Sequence, residues 1–201
     1  MSNKDLFQHK SKNWDMNSKR VKNANAIASN IIKKVKLNNN MRVMDLGAGT
    51  GLLSYFIAPY ISEIVAVDNS ESMLEVFKIK CDEFDCKTQV IQKDISVETI
   101  DEKFDGVISS MTIHHIENQK ELFFKLFNML NDGGFLALAD LDIEDGSFHS
   151  DNNGVFHFGF DREELRNIAL EVGFKDIEFS TVSTINKPHC DFDIFLIIAY
   201  K

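Results

Sequence analysis

Residues 41–51 read Met41-Arg42-Val43-Met44-Asp45-Leu46-Gly47-Ala48-Gly49-Thr50-Gly51. The run from Met41 to Leu46 predicts a short buried strand, and the three alternating glycines predict a sharp turn. An apolar pattern at helical spacing then restarts with Leu52, Leu53, Phe56 and Ile57. Strand, glycine turn and helix is the order that carries main-chain amides toward a ligand at a helix N-terminus. Only glycine turns the backbone this sharply while admitting a ligand so close.

A dinucleotide fingerprint needs Gly-x-Gly-x-x-Gly, its third glycine permitting close packing of helix on strand. Here that place is Leu52, and the glycine stands one residue earlier. Asp45 precedes the first glycine, where a carboxylate repels a pyrophosphate and favours a cationic or amine-bearing ligand. Downstream, Ile64-Val65-Ala66-Val67 predicts a second strand stopping at Asp68, about 20 residues past the glycines, where an acid accepts from ribose hydroxyls. That geometry requires a ribose without choosing the nucleoside.

Asp45-Leu46-Gly47-Ala48-Gly49-Thr50-Gly51 resembles the first motif of the class I S-adenosylmethionine-dependent methyltransferases, a resemblance that covers residues 15–201. It implies a Rossmann-like, doubly wound α/β sheet of seven strands, mostly parallel, with a C-terminal antiparallel hairpin. It also implies S-adenosyl-L-methionine as cofactor and S-adenosyl-L-homocysteine as product. By the same resemblance Asp45, Gly47, Ala48, Gly49, Gly51, Asp68, Asn69, Met73 and Ser110 surround the cofactor. Asp94 and Ile95, after a third strand at Val90-Ile91, meet its adenine through the acid and the next main-chain amide.

Phe104 to Ser110 predicts strand four, followed by Met111-Thr112-Ile113-His114-His115-Ile116. Ligands of open α/β sheets lie beyond the carboxyl ends of the strands, so this segment lines the pocket. Neither Asn/Asp-Pro-Pro-Tyr/Phe nor Pro-Cys occurs, the motifs of amino and cytosine-carbon methylation; the stretch resembles the small-molecule branch. A small-molecule methyl acceptor is therefore expected, with Trp14, His114 and Phe156 as its contacts. The polar, glycine-punctuated run over 141–160 is expected to be a substrate lid. His149 and His157 within it are the candidate general bases, because imidazole titrates near neutrality, and His115 is the third.

Residues 1–40 are expected to form a helical cap on the domain, with Phe7 and Trp14 its aromatics and a helix from Ser18 to the Asn38-Asn39-Asn40 stop. Residues 41–201 form the methyltransferase-like domain. Asn118 with Glu121 and Asp161 with Glu164 mark two further helix starts. Gly133-Gly134 is expected to close the first of these helices through a left-handed cap. Strands over 176–183 and 192–200 make the terminal hairpin, which a simple dinucleotide domain lacks.

The formal charge of -9 and a pI near 5.1 argue against a nucleic-acid partner, because phosphate binding needs basic surface. No run of the sequence is long and apolar enough to suggest a membrane partner. Three cysteines, Cys81, Cys86 and Cys190, lack metal spacing and suit a reducing, cytoplasmic setting, and no metal is expected. A monomer or homodimer is expected. Two other readings stay open: an NAD-dependent oxidoreductase, for which no Tyr-x-x-x-Lys is present, and a cofactor-binding module without catalysis.

Overall fold

The computed structural model describes Asp5 and residues 11–201; Phe7 lies outside the described residues. Strand β1 (Arg42–Leu46) pairs in parallel with β2 (Glu63–Asp68) on one side and β4 (Phe104–Ser110) on the other. A strand flanked on both edges and covered on both faces reads as an apolar run, which is why 41–46 does. β3 (Lys87–Gln92) extends the sheet beyond β2, and β5 (Leu130–Leu141) beyond β4, again in parallel. β7 (Asp191–Tyr200) then lies antiparallel to β5, and β6 (Lys175–Asn186) antiparallel to β7. The order β3-β2-β1-β4-β5-β7-β6 is the seven-stranded, mostly parallel sheet expected, with β7 inserted beside β5. Strand order reverses between β1 and β4, so the glycine turn after β1 sits at the topological switch point.

Helices α1 (Ser18–Lys34), α2 (Leu52–Ile57) and α3 (Glu71–Ile79) cover one face, where Ile27, Ile31, Leu53 and Phe77 pack with Val43, Ile64 and Ala66. Helices α4 (Gln119–Met129) and α5 (Arg162–Val172) cover the other, where Leu122, Phe123, Leu126 and Leu165 pack with Met44, Val65 and Val67. Successive residues of β1 and β2 alternate between these clusters, as a period of two dictates. The fully buried Ile27, Ala28 and Ile31 make α1 part of the core. Among the described residues no helix is long and apolar enough to cross a membrane.

One local expectation is corrected. Gly133 does not cap α4: the helix ends at Met129, and Leu130 is already extended and paired with Phe104. Gly133 instead bends the start of β5 at φ +77, its N–H donating to Lys201 O at 3.2 Å. After α3 a 3-10 turn at Cys81–Glu83 leads to Phe84, whose ring stacks on Phe77 at 5.0 Å.

Between β5 and α5 the chain makes a closed excursion. Its ends are held by Ile143 N–H to Phe160 O (3.2 Å), Glu144 N–H to Phe158 O (2.9 Å) and Phe160 N–H to Leu141 O (3.0 Å). Gly159, at φ +69, runs so close to Asp142 that an added Cβ would stand 2.0 Å from Asp142 O. Arg162 ties the base with both guanidinium arms on Asp142, Nε at 2.6 Å from Oδ1.

Candidate functional site

The glycine turn spends its amides inside the protein. Gly47 and Ala48 N–H both donate to Val67 O (2.7 and 3.2 Å), Gly51 N–H donates to Ala48 O (2.8 Å) and Gly49 N–H to Asp68 Oδ2 (2.8 Å). The expected cradle of main-chain amides is corrected on this point: those donors stitch β1 to β2 and are not offered to an anion. Gly47, at φ +66, packs against Thr112, whose side chain an added Cβ would meet at 2.2 Å. Gly49 is different. Among the described residues a Cβ there, at φ +54, would find only Gly47 O at 4.0 Å, so the turn opens to a ligand at this residue.

Two carboxylates stand beside the opening. Asp45 is buried and accepts from Ser54 Oγ at 2.6 Å. Burial, reinforced by the negative charge of Asp68, pushes its pKa up to about 7 against the pull of Ser54. Asp68 accepts from Gly49 N–H and, at 2.8 Å, from Ser70 N–H; burial raises its pKa too, with Asp5 adding to the effect. Among the described residues no ion pair serves either acid. Asn69 is exposed beside them, and Met73 is buried with its N–H on Ser70 Oγ.

After β3, Asp94 Oδ1 accepts from Ser96 N–H (3.0 Å) and Ser96 Oγ (2.5 Å), and Ile95 is buried. Ser110 ends β4 half-buried, and Met111 follows at φ +58, an uncommon conformation for a residue with a side chain. From the N-terminal side, Asp5 accepts from Ser70 Oγ and Ser72 N–H at the start of α3, and Asp15 accepts from Thr50 Oγ1 at 2.5 Å and pairs with Lys80. Trp14, adjacent to Asp15, carries the Arg20 guanidinium 3.8 Å above its ring.

The histidines divide. His114, His115 and His149 form one cluster, with ring centroids 4.2 Å apart for the first pair, 5.0 Å for His114–His149 and 5.9 Å for His115–His149. His115 Nδ1 lies 2.6 Å from Gly154 O. His157 is not in the cluster: its Nε2 donates to Ile116 O (3.1 Å) and Glu117 O (3.0 Å), and its ring lies on Phe160. A nitrogen that holds its proton between two carbonyls anchors the loop at His157. A cleft of about 750 Å3 runs between this loop and α4, with Ile95, His115, half-exposed Phe156 and His157 in its wall. None of its lining residues belongs to the glycine turn or to β2.

Four participants escaped the sequence reading. Ser54 sits one helical turn into α2 and is legible only once α2 is known to face Asp45. Asp15 and Thr112 close on the glycine turn from 35 and 65 residues away. Asp140, at the end of β5, holds His114 across 26 residues. No local spacing signals any of these contacts.

Residues 43–134 match the family model described as a methyltransferase domain. An uncharacterised methyltransferase of Schizosaccharomyces pombe is 31% identical over 76% of this chain and 58% of its own length. A malonyl-[acyl-carrier protein] O-methyltransferase of Bacillus anthracis is 27% identical over 75% of this chain and 54% of its own. The chain thus spans a little over half the length of these relatives. In fold, phosphoethanolamine N-methyltransferase 2 of Haemonchus contortus, solved with S-adenosyl-L-methionine, superposes with a TM-score of 0.73 at 16% identity, covering 100% of this chain and 60% of that one. With the sheet order and the glycine turn at its switch point, the match identifies the chain as carrying a methyltransferase domain of the class I, S-adenosylmethionine-dependent type.

Proposed function

We propose that the protein binds S-adenosyl-L-methionine and transfers its methyl group to a small-molecule acceptor, releasing S-adenosyl-L-homocysteine. The observation that carries this reading is the pairing of the opening at Gly49 with Asp45 and Asp68, two buried acids that no cation pairs among the described residues. A dinucleotide would bring phosphates to carboxylates and to amides already spent, whereas a sulfonium or ammonium group offsets the negative charge that burial disfavours on both acids. The residues present fit the cofactor. Asp68 accepts from the ribose, Asp94 and Ile95 meet the adenine, and Asp45 with Ser54 supports the charged end.

When bound, S-adenosylmethionine supplies a methyl group activated by a positively charged sulfur. The protein's own work is to orient the acceptor in line with that group and to exclude water, and positioning alone accounts for much of the rate. The loop over 141–160 acts as the lid, and the cleft beneath Phe156 takes the acceptor's apolar body. The relatives' names, one an O-methyltransferase and one an N-methyltransferase, leave the accepting atom open.

Calorimetric titration with S-adenosylmethionine, S-adenosylhomocysteine and NAD tests the reading. The first two are expected to bind and NAD to remain silent. Asp68→Ala is expected to weaken both by about 10- to 100-fold, the worth of a charge-assisted hydrogen bond. NAD binding alone would overturn the proposal.

A further inference from the structure

His114 and Asp140 are both buried, at 1% and 0% exposure, at the carboxyl edge of the sheet. Asp140 Oδ2 accepts from His114 N–H (3.3 Å), and Oδ1 accepts from Leu141 N–H (2.8 Å) and lies 2.7 Å from His114 Nδ1. An oxygen already taking an amide hydrogen is a poor donor, so the ring Nδ1 holds the proton and Nε2 presents a lone pair. Among the described residues that buried Nε2 has no partner, and neither has the buried His149 Nε2 from the lid. The two rings stand 5.0 Å apart and tilted by 41°. A buried polar atom left unpaired keeps its desolvation cost uncompensated, and a ligand bridging the two would recover it.

The surroundings define what that ligand is. His115 lies against both rings, with Nδ1 on Gly154 O, and Lys187 Nζ reaches Phe148 O and the Phe148 ring beside His149. Burial and the two neighbouring histidines hold His149 down at about 4, so it is neutral at pH 7 and free to donate from Nε2. With its one proton on Nε2, neutral His149 would offer an N–H beside the lone pair of His114, and the two together would match a group that gives one hydrogen and accepts another. A hydroxyl does both; a carboxylate has no hydrogen for His114, and a tertiary amine has none either. Thr112, two residues before His114, donates to Gly47 O at 3.5 Å, which ties this segment to the glycine turn.

We propose that the acceptor's reacting hydroxyl lies between His114 and His149, donating to His114 Nε2 and accepting from His149 Nε2, and that His114 is the general base, positioned by Asp140. The inference rests on the proposed methyl transfer. The substrate oxygen gains the methyl carbon as the carbon–sulfur bond breaks, whose electron pair stays on sulfur. The hydroxyl proton passes to His114 Nε2, and Asp140 stabilises the imidazolium through Nδ1–H. Entry requires the lid to lift, because Phe156 and His157 N–H both rest on His114 O at 3.0 and 3.2 Å.

The test uses the full chain, 15N-labelled and saturated with S-adenosylhomocysteine. Long-range proton–nitrogen spectra at pH 7.5 are expected to show His114 with Nδ1 protonated and Nε2 bare, a readout that needs no variant; a proton on Nε2 would overturn the proposal. In parallel, benzyl alcohol, 3-hydroxybenzoate, benzoate and N,N-dimethylbenzylamine are offered with S-adenosylmethionine. Homocysteine-product formation is expected from the hydroxyl compounds only. His114→Gln is expected to lower kcat at least about a hundredfold while S-adenosylhomocysteine affinity stays within about twofold, and Asp140→Asn to move the acid limb of the kcat profile to lower pH, an effect no merely structural role produces. Turnover of benzoate or the amine instead, silence from the whole panel with cofactor product bound, or unchanged kcat in His114→Gln would sink the assignment. Failure of S-adenosylhomocysteine to bind would overturn the proposed function itself.

Discussion

At Asp45 the fold holds a carboxylate out of water, and the pKa of about 7 is the result. The folded state then grips this proton more tightly than the unfolded chain does. Ionisation of Asp45 therefore takes stability away as pH rises from about 4 to about 7, and the loss is constant above that. Asp45→Asn keeps a partner for Ser54 Oγ and removes the charge. Urea unfolding at pH 8 is expected to find the variant more stable by up to about 4 kcal/mol, the free-energy equivalent of roughly three pKa units, with the gap closing near pH 4. A variant less stable at pH 8 would refute the assignment of cause. Asp45 and Asp68 were legible in the sequence because each ends a strand beside a local signature. Asp140 was not, because its meaning lies in His114, 26 residues away and joined to it only by the pairing of β4 with β5. The contacts of His157 were hidden for the same reason: the carbonyls that hold its proton belong to residues 116 and 117.

At the scale of the element, α5 illustrates how local chemistry places the lid. Its N-cap Asp161 accepts from Glu163 and Glu164 N–H at 2.8 and 3.0 Å, and Gly173 closes it at φ +116. The next residue, Arg162, clamps Asp142 at the other end of the excursion. Asp161→Ala is expected to cost about 1 kcal/mol, lowering Tm by roughly 2–4 °C for a chain of this size, measured by calorimetry. A change below 1 °C would mean that the cap is not the helix's anchor. The helix starts at Asn118 and Asp161 and the end at Gly173 could be read from the sequence, since caps are local. The end of α4 could not, because Leu130 leaves the helix to pair with Phe104, and strand pairing overrides the glycine signal three residues later.

Over the whole molecule, a charge of -9 surrounds a site whose two acids are raised by burial, with Asp68 adding to the effect on Asp45 and Asp5 to that on Asp68. Such a field draws a cationic ligand inward and is screened by salt. Raising ionic strength from about 0.05 to about 0.5 M is expected to weaken S-adenosylmethionine, which carries the sulfonium, more than S-adenosylhomocysteine, which lacks it; calorimetry at both salt concentrations would show equal weakening if the field were irrelevant. The sheet order was legible from strand count and the terminal hairpin, yet it has a consequence in time as well as space. β6 pairs with β7 alone, and β7 separates it from β5. During translation β6 therefore emerges before its strand partner exists, while the outer edge of β5, with Leu136 and Leu138 along it, waits open. Until residues 191–200 clear the ribosome, every strand of matching length in the cell competes for that edge. The interval between making β6 and making β7 is when this chain most needs a chaperone.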